Sequence, residues 1–98
     1  MAVALLTDST TIVAIPDVLS SAFEYETVLL DLRDGVYYTL DEVGARIWQL
    51  VQRPVSIPDI CKTIRTEFEV AAERCDEDVR ALAHNLLDRG LVRVESSG

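Results

Sequence analysis

The chain has 98 residues, 49% of them hydrophobic, and a formal net charge of −8 from nine Lys and Arg against seventeen Asp and Glu. That length predicts one domain with one modest core, and the hydrophobic fraction argues against a disordered chain. Cations so scattered argue against a general nucleic-acid binder, which sets clustered Lys and Arg against phosphate.

Residues 1–11 read as a mobile lead-in, because Thr7-Asp8-Ser9-Thr10-Thr11 is polar and has no clear period. Met1 to Leu6 is apolar but too short, and too poor in basic residues, for a secretory segment. No apolar run approaches the roughly 20 residues of a membrane span. The expectation is a cytoplasmic protein without a membrane partner. Cys61 and Cys75 would be reduced there, and with no nearby Cys or His they read as small core hydrophobes rather than metal ligands.

From residue 12 onward the pattern is that of a single domain. Ile12 to Ile15 is a short apolar run stopped by Pro16, and Val18 to Phe23 has the makings of a first strand. Tyr25 to Leu32 reads as a second strand, apolar on both sides at Val28-Leu29-Leu30. Asp34-Gly35 is the preferred pair for a type I′ hairpin turn, and the β-branched and aromatic run Val36-Tyr37-Tyr38-Thr39 follows it as a third strand.

Helical periodicity takes over at Asp41, a good N-cap. Leu40, Val43, Ile47, Leu50 and Val51 form one apolar stripe, and Gly44 inside it suggests a close backbone approach. Arg53-Pro54 ends this helix. Ser56-Ile57-Pro58-Asp59 starts a second one, with Ser as cap, Pro in the first turn and Asp where a capping box places its acid. Its stripe is Ile57, Ile60, Cys61, Ile64 and Phe68. A third helix is predicted from Ala72 to Arg89, with Gly90 as terminator. Leu91 to Val94 is either a short closing strand or an apolar tail on the core. Strands followed by helices define an α+β domain with helices on one sheet face, a layout shared with winged helix-turn-helix proteins.

The chemistry of catalysis is missing. His84 is the single histidine and falls on the polar side of the third helix. Phosphate loops, paired-cysteine zinc sites and HExxH motifs are absent. Consecutive side chains of Asp76-Glu77-Asp78 point in different directions, so they read as a solvated face near a helix N-terminus rather than a metal cluster. A non-catalytic protein with no cofactor and no metal is expected. The remaining feature is the strand Val36 to Thr39, which carries neither charge nor Pro as a protected edge would. One of Tyr37 and Tyr38 must face the core, since strand neighbours point to opposite faces. The open side could accept a peptide as an added strand.

The stretch from Leu29 through Asp34-Gly35-Val36-Tyr37-Tyr38-Thr39 to Trp48 resembles the PqqD-like family of recognition elements for ribosomally made, post-translationally modified peptides. Asp78-Val79, Leu82, Leu86-Leu87 and Arg89-Gly90-Leu91-Val92 are similar to that family's third-helix ending. The hairpin-to-Trp48 segment is most similar to stand-alone recognition proteins of lasso-peptide clusters. The resemblance implies a winged helix-turn-helix-like fold, a three-stranded antiparallel sheet followed by three helices. It also implies binding of a precursor's leader region as an added antiparallel strand, in a groove between the third strand and the third helix. Carried over by position, Val36, Tyr37, Tyr38 and Thr39 supply the edge, and Cys75, Asp78, Val79 and Leu82 the opposing wall. Cys75, Asp78 and Leu82 form one flank of the helix stripe and Ala83 and Leu87 the other, and the sequence does not say which flank faces the groove. The implied partners are the precursor, a leader peptidase of the transglutaminase-like cysteine-protease type, and a cyclase. Exposed first-helix residues such as Arg46, Gln49 and Gln52 are candidates for the peptidase contact.

Three other readings share these features. A peptide chaperone of the pyrroloquinoline-quinone type would present its precursor to a radical enzyme. A winged-helix DNA-binding protein would have to set Glu73, Asp76, Glu77 and Asp78 against a polyanion. A dimerisation module would pair its open edge with itself.

Overall fold

A computed structural model describes residues 9–24 and 26–95. Strand β1 (Thr11–Ala14) leads into an antiparallel meander of β2 (Val18–Ala22), β3 (Thr27–Asp31) and β4 (Val36–Leu40). Helices α1 (Glu42–Leu50), α2 (Ile57–Phe68) and α3 (Ala72–Asp88) follow, with the two-residue strand β5 (Val55–Ser56) before α2 and β6 (Val92–Glu95) after α3. The main sheet has the order β2-β3-β4, so the expected architecture of three antiparallel strands and then three helices is present. Of the expected lead-in, residues 1–8 lie outside the described residues, and Thr11 is paired in β1. Tyr25 is also outside them, and β3 begins at Thr27.

A second small sheet, β5-β1-β6, was not expected as such. Thr11 pairs with Glu95 and Ala14 with Val92, which settles residues 92–95 as a closing strand rather than a tail. Ala14 N donates to Val51 O at 2.7 Å and Ile15 N to Leu91 O at 3.0 Å, so β1 is fastened to the end of α1 and to the segment after α3. Ile12, fully buried, joins the core through these contacts.

The helices form for the reasons their sequences suggest. Asp41 accepts from Gly44 N at 2.8 Å as the N-cap of α1, and Ser56 accepts from Asp59 N at 3.3 Å as that of α2. Ile47, Trp48 and Val51 from α1, Ile57, Ile60, Cys61 and Ile64 from α2, and Cys75, Val79, Ala83 and Leu86 from α3 share one core with Leu29 and Leu40 of the sheet. Each Val, Leu or Ile among them contributes about 1.5–3 kcal/mol when it leaves water. Arg46 forms a two-pronged ion pair with Glu67, at 2.9 and 3.0 Å, that ties α1 to α2. Helix α2 ends on Glu69 in the left-handed region (φ 50°), a stop signal that no Gly or Asn announces.

The hairpin is present, but its turn is not type I′. Four residues, Leu32 to Gly35, connect β3 to β4, and among them Gly35 alone has positive φ (74°). Gly35 N donates to Asp31 O at 2.8 Å. The reason lies in Asp31, which is buried and accepts from Arg33 N at 2.9 Å and from the Arg33 guanidinium. Asp34 Oδ1 takes the Val36 N–H at 3.0 Å. The two side chains bond backbone that a two-residue turn would have left to the ladder, and the longer loop results.

Candidate functional site

Strand β4 is one margin of the main sheet, with β3 on one side of it and no strand of the described residues on the other. Hydrogen-bond phase decides which of its backbone groups are free. Leu32 N donates to Asp17 O and Phe23 N to Glu26 O, in register with the β2–β3 ladder. Antiparallel residues alternate between bonding one neighbour and the other. Even-numbered β3 residues therefore bond toward β2, and Thr27, Leu29 and Asp31 toward β4. Their partners Leu40, Tyr38 and Val36 point their backbone groups inward. The N–H and C=O of Tyr37 and Thr39 face outward, available to another strand.

Side chains follow the same alternation. Leu40 is buried and Tyr38 half-buried against the core, whereas Tyr37 is 67% exposed on the opposite sheet face, in line with Leu30 and Leu19. Tyr38 is thus the core-facing tyrosine of the pair.

Beyond the open side of β4 lies α3, and two adjoining depressions separate them. The first, of about 380 Å³, is lined by Thr39 and Leu40 on the strand side, Val43, Gly44 and Ile47 of α1, and Cys75, Asp78, Val79 and Leu82 of α3. The second, of about 300 Å³, is lined by Tyr38, Thr39 and Leu40 against Leu82, Asn85, Leu86 and Arg89. Thr39, Leu40 and Leu82 belong to both, so the two form one groove along the strand. Cys75, Asp78, Leu82, Asn85 and Arg89 recur every three to four residues down one flank of α3. That flank, rather than the one bearing Ala83 and Leu87, faces the groove.

Of the residues singled out from sequence, Tyr38, Thr39, Cys75, Asp78, Val79 and Leu82 come together here, while Val36 and Tyr37 line neither depression. Cys75 and Val79 are buried and form its floor, and Leu82 is the half-buried apolar contact at the surface. Asp78 stands at the rim, where Arg74 Nε reaches its carboxylate at 3.2 Å. Val43, Gly44, Ile47, Asn85 and Arg89 also line the groove but were not assigned to it from sequence. For Asn85 and Arg89 a signal existed, since they continue the spacing of Cys75, Asp78 and Leu82. A Cβ on Gly44 would stand 3.3 Å from Leu40 Cβ and 3.2 Å from Asp41 Oδ1, which explains glycine at this close approach of α1 to the end of β4.

Two groups near the sheet and the helices, Asp31 and Cys61, have shifted titrations. Burial pushes the Cys61 thiol up to about 11, reinforced by neighbouring Cys75, whose Sγ lies 3.6 Å from Cys61 O. A thiol so raised is a poor nucleophile. Arg33 holds the Asp31 carboxyl below its ordinary range, chiefly through the side-chain hydrogen bond. Among the described residues no group of His, Cys, Asp and Glu could hold a metal ion, and no helix is long and apolar enough to cross a membrane.

The domain is thus α+β, an antiparallel meander with one open strand facing a helix across an apolar groove. Residues 26–92 match the family model described as coenzyme PQQ synthesis protein D (PqqD), and the chain belongs to that family. Among solved structures it is similar to TbiB1 in complex with the TbiA(beta) leader peptide, at 29% identity and a TM-score of 0.76, over 87% of this chain and 99% of that one. It is likewise similar to a lasso peptide synthetase B1 complexed with the leader peptide, at 28% identity and a TM-score of 0.73, over 84% and 96% of the two chains. No curated protein matches it.

Proposed function

We propose that this protein is a non-catalytic adaptor that binds the leader region of a ribosomal precursor peptide during lasso-peptide maturation. The leader adds to β4 as an antiparallel strand, bonds the outward backbone groups of Tyr37 and Thr39, and lays alternate side chains into the groove against α3. The bound precursor is then delivered to a leader peptidase and a cyclase. The observation that carries this reading is the free backbone of Tyr37 and Thr39 beside an apolar groove, in a chain whose two structural relatives are each seen with a leader peptide. The family description alone would fit a chaperone for pyrroloquinoline-quinone synthesis equally well. The similarity to a lasso peptide synthetase B1 over most of the chain favours the lasso assignment.

The test is a fluorescence-anisotropy titration with the labelled leader peptide encoded beside this gene. Saturable binding, competed by unlabelled leader and not by the core peptide, is expected. Absence of binding by protein shown to be folded by circular dichroism would sink the reading.

A further inference from the structure

Most cations of this acidic chain are occupied. Arg33, Arg46, Arg74, Arg80 and Arg93 each reach a carboxylate within 4 Å. Arg89 differs. It is exposed, lies at the C-terminal end of α3, and lines the second depression of the groove. Its Nε donates to Asn85 Oδ1 at 2.9 Å, and its guanidinium carbon stands 5.1 Å from the centre of the Tyr38 ring. No carboxylate among the described residues pairs with it. Two neutral contacts therefore hold a full positive charge in one place beside the open strand, while its remaining N–H donors are left for a ligand. Stacking on an aromatic face and a planar fork are the features that suit arginine to carboxylate recognition.

The strand sets where along a ligand that carboxylate must fall. Strand β4 runs from Val36 to Leu40, so an antiparallel addition enters at Leu40 and leaves toward Val36. It meets the apolar depression of Leu40, Ile47, Val79 and Leu82 first, and Tyr38 with Arg89 afterwards. Leu40 and Tyr38 are two residues apart, and groove-facing side chains of an added strand also recur every second residue. Resting on the adaptor reading above, we infer that Arg89 is a specificity determinant that selects an acidic side chain in the bound peptide. That side chain lies two positions C-terminal to the apolar one seated against Leu82. The ligand is thus an extended peptide with an apolar residue, any residue, and then Asp or Glu, in that order.

The probe is the fluorescein-labelled leader peptide encoded beside this gene, together with variants in which each Asp or Glu is changed singly to Lys. Each is titrated against wild-type protein, Arg89→Gln and Arg89→Glu, with thermal unfolding of the free proteins as a folding control. Arg89→Gln is expected to weaken binding of the unmodified leader about fivefold or more, less so at high salt. One acid-to-Lys peptide should lose affinity for the wild-type protein and regain it with Arg89→Glu. The apolar residue two positions before that acid should be the one whose change to Ala matters no further once Leu82→Ala is present. A role confined to the helix end would lower the melting temperature without any charge-swap rescue. Leader binding that stays within twofold in Arg89→Gln, or rescue at no acidic position, overturns the inference and leaves the adaptor standing. Failure of wild-type protein to bind the leader overturns both.

Discussion

Arg33 and Gly90 meet across the end of the groove. The same Arg33 Nη2 that holds the Asp31 carboxylate at 2.8 Å donates to the Gly90 carbonyl at 3.0 Å. One side chain thereby fixes the β3–β4 turn and ties it to the end of α3, so the two walls of the groove keep a set spacing at that end. Arg33→Ala is expected to lower the melting temperature, because buried Asp31 loses its partner. It should also weaken leader binding, whereas Arg93→Ala, on a strand outside the groove, should leave binding unchanged. Differential scanning fluorimetry and anisotropy measure the two effects.

The same pair sets an acid limit. Asp31 is held below its ordinary value of 3.8. A carboxylate depressed in the folded state contributes stability that is complete above the ordinary value and is lost as pH falls through the folded one. Glu67, held down by Arg46, acts with the same sign below 4.5. The melting temperature should therefore fall progressively as pH drops below about 4.5. Asp31→Asn should flatten that drop while starting from a lower melting temperature at neutral pH. An acid profile identical to wild type would contradict the assignment.

Thr39 tests main-chain pairing. Its N–H points away from β3, so proline there removes no ladder bond, and edge positions of this kind accept it. Thr39→Pro should remain folded by circular dichroism and lose about tenfold in leader affinity or more. Thr39→Val keeps the N–H and should bind within about twofold of wild type.

The tyrosines separate in the same assays. Tyr38 packs on the core and lines the groove, so Tyr38→Ala should cost about 2 kcal/mol or more of stability and weaken binding as well. Tyr37 is 67% exposed on the far face of the sheet, and Tyr37→Ala should change stability by no more than about 0.5 kcal/mol.

Gly44→Ala sets two effects against each other. Helix propensity favours alanine by about 1 kcal/mol. The added Cβ at 3.3 Å from Leu40 Cβ and 3.2 Å from the capping Asp41 oxygen opposes it, since neither neighbour is the free end of a flexible chain. Overpacking costs about 1–3 kcal/mol, so a net loss of about 1 kcal/mol is expected in urea unfolding.

Much of this protein was legible in its sequence because the signals were local. Asp41 and Ser56 as caps, the stripe Ile57-Ile60-Cys61-Ile64, the stop at Gly90 and the hairpin around Asp34-Gly35 depend on residues within one turn or one pleat of each other. The strand Val36 to Thr39 and the flank Cys75, Asp78, Leu82 were legible for the same reason. Tertiary structure decided what local signals do not carry. Strand β1 exists because Thr11 pairs with Glu95, at the other end of the chain. Asp31 and Arg33 replaced the expected turn, since burial of a carboxylate requires a partner and the loop bends to supply one. Which backbone groups of β4 are free follows from the β2–β3 register, and which flank of α3 meets them follows from packing against α2 and β6. Period and composition determine which residues can lie on one face. Only the packed chain determines what that face meets.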